Sequence, residues 1–411
     1  MMQRISWLSV LLAIFVLLDM GSYSSAAAAA AKVRLGVENI EHYMYLFQGK
    51  RVGLITNHTG IDSNFRSTVD ILNEKTNLVA LFAPEHGIRG NVPAGAAVGF
   101  YTDERTGVTV YSLYGATKKP TPEMLANVDV LVFDIQDVGA RFYTYIYTMA
   151  YAMQACSELG KTFVVLDRPN PVGGVQVEGK VLEPEFQSFI GLYPIPIRHG
   201  MTVGELAQLF NSEFGINCDL HVVKMTGWRR DMLYDETGLP WVMTSPNMPT
   251  VDTALVYSGI GIFGGTNISE GVGTTRPFEL VGAPWLDAQE LADRMNAQHL
   301  PGVIFRPAYF TPAFSKYKGQ VCGGVQIHVV DRKAYKAVRT GLALLYTIIE
   351  LSGDKFSFNA PYREGSKPNI DLATGDDSLR LGRYTLDEII AAWDAEAEQF
   401  RQLAKPYLLY E

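Results

Sequence analysis

The side chains able to do chemistry gather just past short apolar runs. Asn57 and His58 follow residues 51–56, and Glu85 and His86 follow 78–83; Asp134, Gln136 and Asp137 close 129–135, and Asp167, Arg168 and Asn170 follow 162–166. Carboxylates, imidazoles, amides and a guanidinium so arranged suit proton transfer and the binding of a polar, anionic ligand. Glu85 lies in Ala83-Pro84-Glu85-His86-Gly87-Ile88-Arg89-Gly90, where a proline and two glycines force a tight turn. A turn of this kind at a cleft mouth holds a carboxylate partly out of water and raises its pKa towards that of a general acid. A plainer arrangement fits the same residues, with Glu85 and His86 pairing with Arg89 and capping the turn. Asp137 is either a catalytic carboxylate or the cap of the next helix, while Asp134, deeper in the run, is expected to orient Arg141. Arg168, in the rigid Asp167-Arg168-Pro169-Asn170-Pro171 loop, suits bidentate recognition of a substrate carboxylate unless Asp167 neutralises it. His58, His86, Asp134 and Asp137 show no close ligand spacing such as H-x-H, so no metal is expected.

The runs that carry these residues, 51–56, 78–83, 108–111, 129–135 and 162–166, are nearly continuous in apolar residues, as strands buried on both faces are. Helical patterns fall between them at 66–74, 122–127 and 143–159. This alternation is that of a parallel α/β sheet, in which ligands bind beyond the carboxyl ends of the strands. From about residue 191 helices at 202–214, 287–298, 334–351 and 385–403 mix with strands at 220–223 and 325–330. A long Gly-, Pro- and Thr-rich stretch at 244–284 reads as an ordered, functional loop. The expected architecture is α/β: a parallel-sheet domain over 32–190 and a smaller mixed α/β domain over 191–411.

Several familiar chemistries lack their motif. Gly259, Gly261 and Gly264 match G-x-G-x-x-G, but Gly265, Thr266 and a Gly/Pro-rich segment follow where a pyrophosphate-binding helix should start, so no dinucleotide cofactor is expected. No G-x-S-x-G, Walker A or H-E-x-x-H sequence occurs. Arg4, the apolar stretch 5–18 and the small-residue tail 21–31 read as an export signal, with the mature chain periplasmic or extracellular. The apolar stretch is shorter than the ~20 residues that span a bilayer, so no membrane association is expected once it is removed. Cys156, Cys218 and Cys322 are odd in number and far apart, which implies no disulfide framework. The 411 residues, 47% hydrophobic and 19% charged, make a globular chain long enough for two domains. Thirty-five Lys and Arg against 43 Asp and Glu leave a net charge of -8, the wrong sign for nucleic acid or an anionic membrane surface.

Five ordered motifs carry a resemblance. They are the Glu85 turn; Asp134-Ile135-Gln136-Asp137-Val138-Gly139-Ala140-Arg141-Phe142-Tyr143-Thr144-Tyr145; the Arg168 loop; Ser245-Pro246-Asn247-Met248-Pro249; and Gly265-Thr266-Asn267-Ile268-Ser269-Glu270-Gly271. Together they resemble the exo-β-N-acetylmuramidase family, glycoside hydrolase family 171, over nearly the whole mature chain. The resemblance implies a Rossmann-like domain that binds no dinucleotide, a smaller C-terminal domain closing the active-site cleft, and no cofactor. It implies release of N-acetylmuramic acid from the non-reducing ends of peptidoglycan fragments, muropeptides and GlcNAc-MurNAc oligosaccharides, with Glu85 as the expected catalytic residue, a general acid/base. His86 beside it and Asp137, past the strand end where the crevice opens, are the other catalytic candidates, and Asn57, His58, Arg89, Asp134, Arg141, Tyr143, Arg168, Asn170, Asn247, Thr266, Asn267, Glu270 and Arg276 are the candidate substrate contacts. Two positions depart from the family pattern: Gly264 stands where Glu is expected and Val272 where Arg is expected. Because N-acetylmuramic acid carries a lactyl carboxylate, a selective site needs a fixed cation, and Arg168 and Arg141 rank before Arg89 and Arg276. Tyr143 and Tyr145 are candidate sugar-stacking faces. A metal-dependent hydrolase of another wall component and a non-catalytic muropeptide-binding protein are the alternatives.

Overall fold

Largely apolar segments of four to seven residues, with one two-residue edge strand, build the central sheet of the protein, a computed structural model that describes residues 32–84, 87–89 and 100–411. The export-signal segment 1–31, Glu85 and His86 lie outside the described residues. Among the described residues nine strands precede residue 224: β1 (Arg51–Thr56), β2 (Asn77–Ala83), β3 (Tyr101–Thr102), β4 (Thr109–Ser112), β5 (Val130–Asp134), β6 (Thr162–Leu166), β7 (Glu178–Val181), β8 (Pro196–Arg198) and β9 (Asp219–Val223). Seven of them form one sheet in the order β3-β4-β2-β1-β5-β6-β9, parallel except for β3. β1 is followed by β2 and β4 on one side and by β5, β6 and β9 on the other, so the direction of winding reverses between β1 and β5. That reversal opens a crevice beyond the carboxyl ends of these two strands.

Alternate strand residues enter different cores. Ile55, Phe82, Phe133 and Phe163 face α2 (Tyr145–Leu159) and α3 (Val203–Ser212), whereas Leu54, Leu81, Val132 and Val164 face Ile71 and Leu72 of α1 (Thr68–Lys75) and the 3-10 helix Gly36–Leu46. Cys156, Cys218 and Cys322 are buried and free. The expected break at 190–191 falls inside this layer, because β9 pairs with β6 and α3 covers the same face. The 122–127 segment forms turns, not a helix: Pro122 fixes the first of them, and only about two helical turns' worth of residues lie between Pro120 and the strand.

The second layer is a three-stranded antiparallel sheet, β10 (Leu280–Ala283), β12 (Cys322–Val329) and β11 (Val303–Phe310) in that order. Its core draws in α4 (Val251–Ile260), α5 (Ala288–Ala297), α6 (Ala337–Ser352), α7 (Asn369–Thr374) and part of α8 (Leu386–Ala404). Val138, Ala140 and Phe142, from the turn after β5, join the same core. The stretch 244–284 is therefore more than a loop, since it contains α4, a 3-10 turn and β10. Helix α4 buries seven of its ten residues, which removes the one-sided periodicity by which a helix is recognised.

The glycines that mimic a dinucleotide motif have a packing role. A methyl on Gly259 would lie 2.0 Å from the Ala337 carbonyl oxygen, and one on Gly341 would lie 2.2 Å from the Gly259 oxygen. α4 and α6 thus cross backbone to backbone. A methyl on Gly264 has only the Asn369 amide nitrogen, at 3.9 Å, for a neighbour. Gly341→Ala should accordingly cost about 2 to 3 kcal/mol of stability through overpacking, while Gly264→Ala leaves the melting temperature unchanged. Thermal unfolding of the two variants side by side checks the pair.

Candidate active site

Beyond β1 and β5 a polar network keeps several groups unspent. Asn57 is buried, and its Oδ1 accepts from the Thr59 amide (2.9 Å) and hydroxyl (2.6 Å). The Gln136 amide donates to the Thr59 hydroxyl (2.9 Å), and Gln136 Nε2 donates to the carbonyls of Asp137 (2.9 Å) and Pro169 (2.8 Å). Asp137 Oδ2 accepts from the Gly139 amide at 2.7 Å. Gly139 has φ +81°, and a methyl there would meet Asn170 Oδ1 at 2.5 Å, so only glycine allows this turn. His199, just past β8, accepts from the Met201 amide on Nδ1 (3.2 Å); this fixes the tautomer with the proton on Nε2, 3.7 Å from Asp137 Oδ2. Asn57 Nδ2, Gln136 Oε1, Asp137 Oδ1 and His199 Nε2 are buried without a hydrogen-bond partner. Such atoms are uncommon in folded proteins, and each is left to meet a ligand's polar group, although Gln136 and His199 line separate cavities.

An aromatic cleft of about 200 Å³ is lined by Phe142, Tyr143, Tyr145, Asn247, Met248, Tyr257 and Phe278 among others, and Tyr143 in its wall lies within electrostatic reach of Asp137. Its walls are set by edge-to-face contacts: Tyr143 with Tyr145 (5.1 Å), Tyr143 with Tyr257 (5.8 Å) and Tyr257 with Phe278 (4.7 Å). The hydroxyls of Tyr143 and Tyr145 donate to the Thr244 hydroxyl (2.7 Å) and carbonyl (2.9 Å), fastening the 243–249 segment across the strand ends. His58 reaches the same segment, its Nε2 lying 2.5 Å from the Met243 carbonyl. Burial raises the Tyr143 phenol well above its usual pKa, so it stays a neutral donor.

The arginines ranked first are enclosed, a correction to the expectation that they read a substrate carboxylate. Arg168 grips Asp134 through Nε (2.5 Å) and Nη2 (2.9 Å), both side chains being almost wholly buried, and Nη2 also donates to the Ile61 carbonyl. Asp134 therefore orients Arg168 and not Arg141, and its Oδ2, shared with Arg168 Nη2, also accepts from the Thr68 hydroxyl. Asp167 does not neutralise the Arg168 side chain. It accepts instead from Thr202, Gly204 and Tyr410, and burial pushes its carboxyl up to about 7. Arg141 is fully buried and donates to the carbonyls of Lys180, Ile195 and Ala373.

Several amides are likewise spent on structure. Asn170 holds Val172 and Met201, the Thr266 hydroxyl bridges Phe263 and Ile268, and Asn267 pairs with the backbone of Lys355 and Ser357. The Glu270 carboxylate is held by Lys316 (2.8 Å). Arg89 and Arg276 remain partly exposed, at 36% and 49% of their side chains, and are paired with Asp103 and Glu279. The structure thus brings Asn57 and Asp137 together in the crevice and Tyr143 and Asn247 in the cleft. Sequence reasoning missed His199, Tyr257 and Phe278. Tyr257 sits on the unrecognised α4, and only the histidine type itself marked His199. Among the described residues no three His, Cys, Asp or Glu side chains converge as a metal site.

Comparison with known proteins fits this geometry to a family. Residues 52–252 match the model of the exo-β-N-acetylmuramidase NamZ N-terminal region, and residues 255–410 match that of its C-terminal region. The chain belongs to the exo-β-N-acetylmuramidase NamZ family. It is 54% identical over 389 residues to the peptidoglycan β-N-acetylmuramidase NamZ of Bacillus subtilis strain 168, covering 93% of this chain and 92% of that one. Two crystal structures of DUF1343 family proteins from Bacteroides fragilis share the fold. One has a TM-score of 0.84 at 43% identity over 92% of this chain and 99% of that one, and the other a TM-score of 0.74 at 34% identity over 93% and 99%. Of the two positions expected to depart from the family pattern, a methyl on Gly264 would meet only the Asn369 amide nitrogen and Val272 is half-buried.

Removing one partner of a buried ion pair strands the other charge in a low-dielectric site. Arg168→Ala is expected to cost about 3 to 5 kcal/mol of stability, read by chemical denaturation. An Arg168→Ala protein of wild-type stability with altered substrate preference would return Arg168 to ligand binding.

Proposed function

We propose that the chain is an exo-acting glycoside hydrolase that releases N-acetylmuramic acid from the non-reducing ends of peptidoglycan fragments. The observation that carries this reading is the 54% identity to a peptidoglycan β-N-acetylmuramidase along nearly the whole chain. The cleft supports the exo mode: at about 200 Å³ it is smaller than the ~300 to 1,000 Å³ of pockets that enclose drug-sized ligands, so it suits one terminal sugar. In this reading Glu85 gives its proton to the departing glycosidic oxygen, next to His86. Asp137 is the second carboxylate, with Oδ2 held by Gly139 and Oδ1 left to the sugar or the attacking water. The lactyl carboxylate falls to Arg276 or Arg89, the candidate arginines that keep solvent access. Asn247 and the tyrosines line the space around the ring. Residues 1–31 act as an export signal, which brings the enzyme to its wall-derived substrate in the periplasm or outside the cell.

Release of chromophore from an aryl N-acetylmuraminide tests the reading, with turnover expected to persist in EDTA. Glu85→Gln should lower kcat by ~10² or more while substrate binding is retained. Loss of activity in EDTA favours a metal-dependent hydrolase, and binding without turnover favours a muropeptide-binding protein. Selectivity is a separate measurement. Arg276→Ala or Arg89→Ala should erode the preference for muramyl over glucosaminyl substrate by ~1.5 to 3 kcal/mol, the value of a charge-assisted hydrogen bond. Unchanged discrimination in both would remove the arginines from that role.

A further inference from the structure

Phe278 adopts a backbone conformation that a residue of its type avoids. Its φ is +63°, in the left-handed region where a bulky side chain is an outlier. Such conformations persist only where the surroundings over-determine them, and they cluster at ligand sites. Here the fixing groups can be named. The Phe278 amide donates to the Glu270 carbonyl (2.6 Å), and Lys316 Nζ grips the Glu270 carboxylate (2.8 Å) together with the carbonyls of Phe263 (2.8 Å) and Ile268 (2.9 Å). Ser315 and Tyr317, on either side of Lys316, also have positive φ, at 69° and 56°. Phe278 is thus tied directly to Glu270, which Lys316 holds in turn from a second segment.

The ring packs against the second core on one side only. Phe278 is half-buried, and it forms part of the cleft wall, edge-to-face with Tyr257. A glycine or asparagine would take the same φ at less cost, and neither would bring a ring into the cleft. Tyr143 and Tyr145 are anchored through their hydroxyls to Thr244, whereas Phe278 has no polar side-chain atom and offers only hydrocarbon. A pyranose has the complementary shape: its hydroxyls and acetamido group lie around the rim, and its faces carry C–H bonds.

We propose that Phe278, backed by Tyr257, is the apolar platform against which one face of the terminal sugar lies, its polar rim turned towards Asn247 and Ser245. This inference rests on the hydrolase reading and assigns the sugar-binding surface within it. The experiment measures KM and kcat on an aryl N-acetylmuraminide, Kd for N-acetylmuramic acid by calorimetry, and melting temperature, for wild type, Phe278→Tyr, Phe278→Ala and Phe278→Gly. Alanine and glycine should each raise KM and Kd by ~10-fold or more, with a smaller change in kcat, and tyrosine should restore affinity. Phe278→Gly should melt above Phe278→Ala, because glycine adopts the positive φ freely. If affinity follows melting temperature, so that glycine recovers what alanine loses, the ring is structural and the proposal fails. It fails equally if Phe278→Ala binds the sugar as wild type does. Wild type that binds N-acetylmuramic acid without turnover sinks the hydrolase reading alone, and Phe278 is then judged on Kd; wild type that neither binds nor turns over overturns both.

Discussion

The guanidinium of Arg141 is wholly enclosed, and its hydrogen bonds reach the carbonyls of Lys180, Ile195 and Ala373 in three separate parts of the chain. A buried charge left without partners would be prohibitively costly, so these segments are bound to arrive together. Lys180 belongs to β7, Ile195 precedes β8, and Ala373 lies in α7 of the second layer. One side chain, extending from the turn after β5, thereby ties the first sheet to the hairpin and to the C-terminal layer. Burial lowers its pKa to about 10, which leaves it charged at neutral pH. The neighbouring residues inherit that fixity: Ala140 and Phe142 enter the second core, and Tyr143 is set as a wall of the cleft.

Polar residues at the strand ends divide into two kinds. Asp134, Arg168, Asp167 and Asn170 are consumed by protein partners and hold the loops beyond β5 and β6 in one arrangement. Asn57, Gln136, Asp137 and His199 each direct one atom to the backbone or a neighbour and keep another free. The first group supplies rigidity to the second, so that its free polar atoms are held in place without reorganisation.

Most of the central sheet is legible in the sequence, because strands buried on both faces leave unbroken apolar runs; β1 and β6 coincide with the runs at 51–56 and 162–166. Amphipathic helices such as α5 and α8 are equally plain, lying within or almost within the patterns at 287–298 and 385–403. Legibility fails where local pattern yields to packing. α4 is apolar on nearly every side, β7 and β8 are short and hold a buried Lys and Arg, and β11 alternates around a proline. For the candidate site, residue type and strand-end position pointed to Asn57 and Asp137, and each keeps a buried polar atom without a partner. They misjudged Arg141 and Arg168, because an arginine in a Pro- or Gly-bearing loop looks the same in sequence whether it faces a ligand or a ring of carbonyls.

Helix α8 closes on the first layer: its Ala397, Phe400 and Ala404 share a core with Phe163 and Val165 of β6, and its Glu396 meets Lys180 of β7 at 2.7 Å. The last long helix of the chain is therefore a structural part of the first half. A gene fragment encoding only the N-terminal family region would yield a sheet with an apolar strip uncovered, and one encoding only the C-terminal region would carry a helix with nothing to cap. Each half supplies the other's missing wall, so in duplication, fusion or laboratory recombination the two can be exchanged between relatives only as a matched pair.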